Sequence, residues 1–201
     1  MKFDMVKKNL EANGFAVSCF ENAAEAVAYL NGVIDRTTVG IGGSMTVEEM
    51  GLYEPLASHN QVFWHQRMPE GKTGPEVRAA ANAAAVYITS VNGLAETGEI
   101  INIDGMGNRV SSMLYGHEKV YLVVGENKLA KDYDSALWRA RNVAAPLNAR
   151  RLGRKTPCAV RADRCYNCKS PERICRELAV LWSKPLGGEY EVILIGEKLG
   201  Y

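Results

Sequence analysis

The chain has 201 residues, of which 47% are hydrophobic, and its 24 Lys and Arg against 23 Asp and Glu leave a formal net charge of +1. That length supports one ordinary domain with a sizeable core and no need of staples, and the near-neutral balance excludes a surface-wide field for nucleic acid or an anionic membrane. The opening residues lack the apolar run of a secretory signal and no stretch reaches the ~18 uninterrupted apolar residues of a span, so a cytoplasmic protein is expected, with no membrane span and no nucleic-acid partner.

Phe3, Val6 and Leu10 recur at helical spacing before Gly14, and FAVSCF (15–20) alternates like a strand, with Cys19 expected in the core. Asn22 with Glu25 predicts a capped helix over AAEAVAYL, closed by Asn31-Gly32. TTVGIGG (37–43) reads as a strand running into a glycine turn, and Thr46 with Glu49 as the cap of the next helix. QVFWHQ (61–66) predicts a strand, and Thr73-Gly74-Pro75 opens a helix with proline where its missing N–H costs nothing.

VYITSV (86–91) and EIINID (99–104) predict two more strands separated by NGLAETG as a turn. Asn108 can cap a short helix, KVYLVVG (119–125) has the composition of a fully buried strand, and a helix from about Ser135 to Leu152 should be kinked or divided at Pro146. After the cysteines, RICRELAVLW reads as an amphipathic last helix and YEVILIG as the last strand. Strands alternating with helices predict a single α/β domain with a mostly parallel sheet flanked by helices, and place ligands at the carboxyl ends of the strands.

Chemistry-bearing residues concentrate in three stretches. GIGGS (40–44) joins a strand to a helix, so backbone N–H groups near Gly42, Gly43 and Ser44 can converge on an anion; a plain tight turn needs the same residues. The span 90–109 gathers Asn92, Gly93, Glu96, Asp104, Asn108 and Arg109 in glycine-bearing turns, with Glu96 as the candidate base or nucleophile. The basic helix carries Arg139, Arg141, Arg150, Arg151 and Arg154, a set that can hold a carboxylate, a phosphate or a CoA tail, or simply be solvated. The histidines, at 59, 65 and 117, show no metal spacing, although His65 at a strand end can face a cleft.

Four of the five cysteines, Cys158, Cys165, Cys168 and Cys175, make the spacing C-x6-C-x2-C-x6-C inside residues 156–176. Four thiolates suit a tetrahedral zinc or an iron–sulfur cluster, 4Fe-4S being one form, and in a reducing compartment free redox thiols are the third reading.

The stretches GIGGSMTVEEMGL, TSVNGLAETGEIINIDGMGNRVSSMLYGHEKVYLVVGENK and RNVAAPLNARRLGRKTPC, with the closing EVILIGEKLGY, resemble the LUD (lactate-utilisation) domain family over nearly the whole chain. The resemblance implies a fold similar to the phosphosugar isomerase and CoA-transferase group, with GIGGS and NGLAETG as cleft loops. Members occur in bacterial systems that oxidise L-lactate to pyruvate alongside iron–sulfur proteins, which are the implied partners. In related transferases a glutamate forms an acyl intermediate, and Glu96 is the nearest candidate here, by analogy of fold. Three readings follow: a 2-hydroxy-acid utilisation protein with a four-cysteine centre for electron transfer beside an anion-binding cleft; an isomerase or acyl-transferase using Glu96 with a zinc clip; and a non-catalytic subunit or sensor.

Overall fold

The computed structural model describes residues 3–201. In chain order its elements are α1 (Asp4–Ala12), β1 (Ala16–Phe20), α2 (Ala23–Val33), β2 (Thr38–Ile41), α3 (Met45–Glu49), α4 (Tyr53–Ala57), β3 (Gln61–Trp64), α5 (Gly74–Asn82), β4 (Val86–Ser90), β5 (Gly93–Ala95) and β6 (Ile100–Asp104). They continue with α6 (Asn108–Leu114), β7 (Lys119–Gly125), β8 (Leu129–Ala130), α7 (Tyr133–Arg139), α8 (Ala145–Arg151), α9 (Pro157–Arg161), β9 (Glu177–Leu181) and β10 (Glu189–Ile195).

Six strands form one sheet in the order β1-β10-β7-β4-β2-β3, every neighbouring pair parallel. Both faces of such a sheet must be covered, and the strands accordingly read as apolar runs: Val120 to Val124 and Val192 to Ile195 are all buried. On one face Leu30, Leu52, Leu56 and Trp64 pack against Ile41, Ile88 and Ile193. On the other, Val6 and Leu10 of α1 join Leu94, Ile100 and Leu181 against Tyr87, Leu122 and Leu194.

Leu94, Ile100 and Leu181 belong to a second sheet, ordered β8-β5-β6-β9 and mixed in direction. It replaces two sequence expectations. NGLAETG is not only a turn, since Gly93–Ala95 is a strand paired with Ile100 and Ile101. Glu177–Leu181 is likewise a strand, not a last helix: it pairs antiparallel with β6 from Ile100↔Leu181 to Asp104↔Glu177, and this long-range ladder outweighs the helical spacing of Ile174, Leu178 and Leu181.

Local signals hold elsewhere. Asn22 caps α2 by accepting from the Glu25 N–H, and Thr73 with Glu76 closes a capping box on α5. The α3 cap is Ser44, which accepts from the Val47 N–H, so Thr46 is left free for another task. The expected division near Pro146 takes the form of a π-helical turn at Ala140–Ala144 between α7 and α8, where the ladder adjusts to a residue without an N–H. Cys19 is exposed rather than in the core, because it lies on β1, an edge strand of the sheet.

Close approach dictates one glycine in the sheet: a Cβ built at Gly40 on β2 would lie 2.2 Å from the Ala81 carbonyl oxygen on α5. Gly40→Ala must therefore push α5 off the sheet, and its urea unfolding free energy should fall by about 1–3 kcal/mol. An unchanged midpoint would show that the helix is not seated this tightly.

Candidate functional site: a cationic cavity

Four adjacent parallel strands end on one edge of the sheet. Beyond β3 comes His65, beyond β2 come Gly43 and Ser44, β4 ends at Ser90 before Asn92, and the turn Glu126–Lys128 follows β7. His65, Gly43, Ser44, Ser90, Asn92 and, from the turn, Lys128 line a cavity of about 470 Å3, a size suited to a small-molecule ligand. Its opposite wall comes from Asp104 on β6, Asn108 and Arg109 on α6, Arg151 on α8, and the segment Pro171–Ile174 with Arg176.

Charge is the salient property of this lining. Arg78, Arg109, Lys128, Arg151, Arg154, Arg173 and Arg176 face the cavity, and none of them forms an ion pair with a carboxylate among the described residues. The two lining carboxylates serve the backbone. Asp104 accepts from the Gly105, Arg109 and Val110 N–H groups at 2.7, 3.0 and 3.1 Å, and Glu172 accepts from the Lys155 N–H at 2.8 Å. Positive charge is thus left over inside a concave, partly desolvated space, where it acts more strongly than on an open surface.

Arg109 joins the two sheets. Its guanidinium donates to the carbonyls of Ser90 and Ile103 at 2.9 and 2.7 Å, and to the side-chain oxygens of Asn102 and Asn92 at 2.6 and 3.1 Å. Burial lowers its pKa, a cost offset in part by the nearby Asp104 carboxylate. Asn92 is held twice, since its side-chain oxygen also accepts from the Ile103 N–H at 2.7 Å.

Lys128 lies deeper, only 3% exposed. Its Nζ donates to Thr46 Oγ1 at 2.6 Å and to Ser90 Oγ at 2.7 Å, and Ser90 in turn donates to Thr46 at 3.1 Å. Burial first, then the charges of Arg139 and Arg109, hold this amine well below the usual lysine range, with Glu49 opposing. The His65 imidazole is also pushed down, by burial and by Arg78 and Arg151, against the pull of Asp104, so it is neutral at pH 7.

Of the residues singled out from the sequence, Gly43, Ser44, Asn92, Asp104 and Asn108 meet at this cavity. Gly42 stands just behind it: its N–H donates to the Ile88 carbonyl, and a Cβ there would meet the Tyr87 hydroxyl at 2.8 Å. The N–H groups of the glycine loop are largely taken, Ser44 by Gln66 Oε1 at 3.0 Å and Val47 by Ser44, so anion recognition falls to the arginines. Gly93 packs against Ala136, and Arg139 directs its guanidinium to the Asn127 and Asn92 carbonyls at 2.7 and 2.6 Å, its pKa pushed down to about 10 by burial. Glu96 lines neither this cavity nor the next one; its backbone bonds to Ala130 and Asn9 hold it at the end of β5. Sequence reasoning passes over Arg78 and Lys128, which carry no motif; the only signal is their place just after a helix opening and a strand end.

The cysteines border a second cavity of about 230 Å3, which shares Ile103, Ala145, Arg173 and Arg176 with the first. Cys165 and Cys175 line it. Arg173 donates to Cys175 Sγ at 3.2 Å and to the Cys168 carbonyl at 3.1 Å, and its pKa is raised by Cys175 foremost, then by Cys168 and Cys165. Cys158 sits apart on α9, its Sγ 3.3 Å from Thr156 Oγ1. Among the described residues no three His, Cys, Asp or Glu side chains are grouped to hold a metal ion. Only the Cys175 thiol touches the Arg173 guanidinium, which meets Cys168 through its carbonyl, and with Cys158 apart the four do not fit a tetrahedral zinc or a cluster as they stand.

The chain belongs to the LUD domain family, whose model matches residues 3–195. No curated protein matches it. Among solved structures it is similar to a DUF162-family protein from Deinococcus radiodurans, at 14% identity and a TM-score of 0.53, covering 96% of each chain; this likeness shows the fold. A weaker likeness, to eIF2B beta from Chaetomium thermophilum, has 11% identity, a TM-score of 0.34 and coverage of 66% of this chain and 44% of that one. No helix among the described residues is long and apolar enough to cross a membrane.

The buried amine predicts a pH dependence. Because the Lys128 pKa is depressed in the folded state, the unfolded chain binds more protons below the usual lysine pKa of ~10.4, so stability rises with pH toward that value. Lys128→Met should flatten the slope of the urea unfolding free energy between pH 7 and about 9.5; equal slopes in the two proteins would mean the amine is charged when folded.

Proposed function

We propose that this LUD-domain protein takes part in the utilisation of L-lactate or a related 2-hydroxy acid, holding the acid as its anion in the cationic cavity. The observation that carries this reading is the set of seven basic side chains on one cavity with no ion-paired carboxylate among the described residues. An arginine presents two parallel N–H groups to a carboxylate, which orients the acid as well as attracting it. Arg78, Arg151 and Arg154 are the proposed carboxylate holders. The neutral His65 of the same cavity is suited to accept a proton from the 2-hydroxyl. Oxidation of such an acid to its 2-oxo form also releases two electrons, and partner iron–sulfur proteins are the proposed receivers.

The cavity's charge also suits a phosphate or a CoA ester, the ligands of the isomerase or transferase reading. That reading is weaker here because Glu96 lies outside the lining. A role for the four cysteines as ligands of an iron–sulfur cluster or zinc is favoured by one observation, that Cys165 and Cys175 line the same small cavity while Arg173 bonds to the Cys175 thiol and the Cys168 carbonyl. It requires the α9 segment to bring Cys158 inward.

Calorimetric titration with L-lactate tests the first reading. Arg151→Ala and Arg78→Ala should each weaken binding about tenfold, the size of one lost charged hydrogen bond, and added salt should weaken it further. Affinity indifferent to both substitutions would remove the anion site. For the cysteines, protein purified without oxygen should carry iron and sulfide that are lost in Cys165→Ser; equal metal content in both would exclude them as ligands.

A further inference from the structure

We infer that Lys128 is a nucleophile of the cleft, its amine condensing with the carbonyl carbon of a 2-oxo acid held there as its anion to form an imine. The inference rests on the anion-site reading and adds to it a covalent partner and a substrate class.

Lys128 lacks the partner that a buried ammonium needs. A buried lysine costs several kcal/mol as an ammonium unless a carboxylate lies against it, and purely structural needs at such a position are met at lower cost by methionine or leucine. Lys128 has no carboxylate within ion-pair distance among the described residues; its neighbours are two hydroxyls, Thr46 Oγ1 and Ser90 Oγ. The charges that bear on it are Arg139 of α7 and Arg109 of α6, both unfavourable to a cation, and Glu49 of α3 on the other side. A neutral amine has two N–H groups, and these two hydroxyls take both. What remains is the nitrogen lone pair, on a side chain that lines the cavity together with both hydroxyl partners.

A lone pair in a cationic pocket selects its electrophile. The ligand must be an anion to enter and must bear an electron-poor carbon close to the anionic group, which describes a 2-oxo acid. In the condensation the nitrogen forms the C–N bond and the carbonyl oxygen leaves as water, carrying the two protons that the amine gives up; nothing is oxidised or reduced. Ser90 and Thr46 already touch the nitrogen and can pass those protons to the departing oxygen, then turn their own hydroxyl hydrogens toward the imine nitrogen.

Exposed lysines are neutral only about once in a few thousand molecules at pH 7, so a buried neutral amine stands out chemically. The wild-type protein at pH 7 is treated with pyruvate and sodium cyanoborohydride, and the reduced adducts are mapped by peptide mass spectrometry. The adduct is expected on Lys128 in roughly tenfold or greater excess over any other lysine, with excess L-lactate suppressing it. An adduct absent from Lys128, or spread evenly over the lysines, or indifferent to L-lactate, overturns the inference. Pyruvate binding measured calorimetrically without the reductant then separates the two readings: binding retained means that only the lysine assignment has failed, and binding absent means that the anion site has failed with it.

Discussion

The guanidinium of Arg109 is the joint on which the site depends. It reaches from α6 to the Ser90 carbonyl at the end of β4 and to the Ile103 carbonyl on β6, so one cation spans the parallel sheet and the smaller mixed sheet. Because its N–H groups end on carbonyl and amide oxygens, its positive charge is fixed in place without being neutralised. The same bonds hold Asn92 and Ser90, and Ser90 in turn holds Lys128. A cavity of excess positive charge is thereby built into the packing of two sheets and does not depend on flexible surface side chains alone.

That arrangement explains why a domain with almost no net charge can still favour anions. The surplus is local: seven basic groups converge while the lining carboxylates, Asp104 and Glu172, are occupied by backbone N–H groups. It also explains the state of Lys128. The cations Arg139 and Arg109 disfavour an ammonium beside them, and the two hydroxyls offer the nitrogen hydrogen bonds without charge, so the fold stabilises the amine in its uncharged form.

Much of the frame is legible in the sequence because its signals are local. Asn22 with Glu25 and the run Thr73-Gly74-Pro75 mark helix starts within a few residues, and the runs at 119–125 and 189–195 announce strands buried on both faces. The family resemblance, rather than periodicity, points to the type of fold. What escapes depends on distant partners. Glu177–Leu181 is a strand only because β6 lies beside it, and its apolar spacing satisfies a helix equally well. Lys128 sits in the unremarkable run ENKLA, and its burial arises from Thr46 and Ser90, 82 and 38 residues away. The cysteines show the converse: close in sequence, they divide in space between Arg173 and Thr156.

A crystal structure of the protein soaked with L-lactate tests the central claim most directly. The account predicts the acid inside the cavity between the carboxyl ends of β2, β3 and β4, its carboxylate within hydrogen-bond distance of at least one of Arg78, Arg151 and Arg154. Density for the acid elsewhere on the surface, with this cavity holding only water at saturating L-lactate, would contradict it.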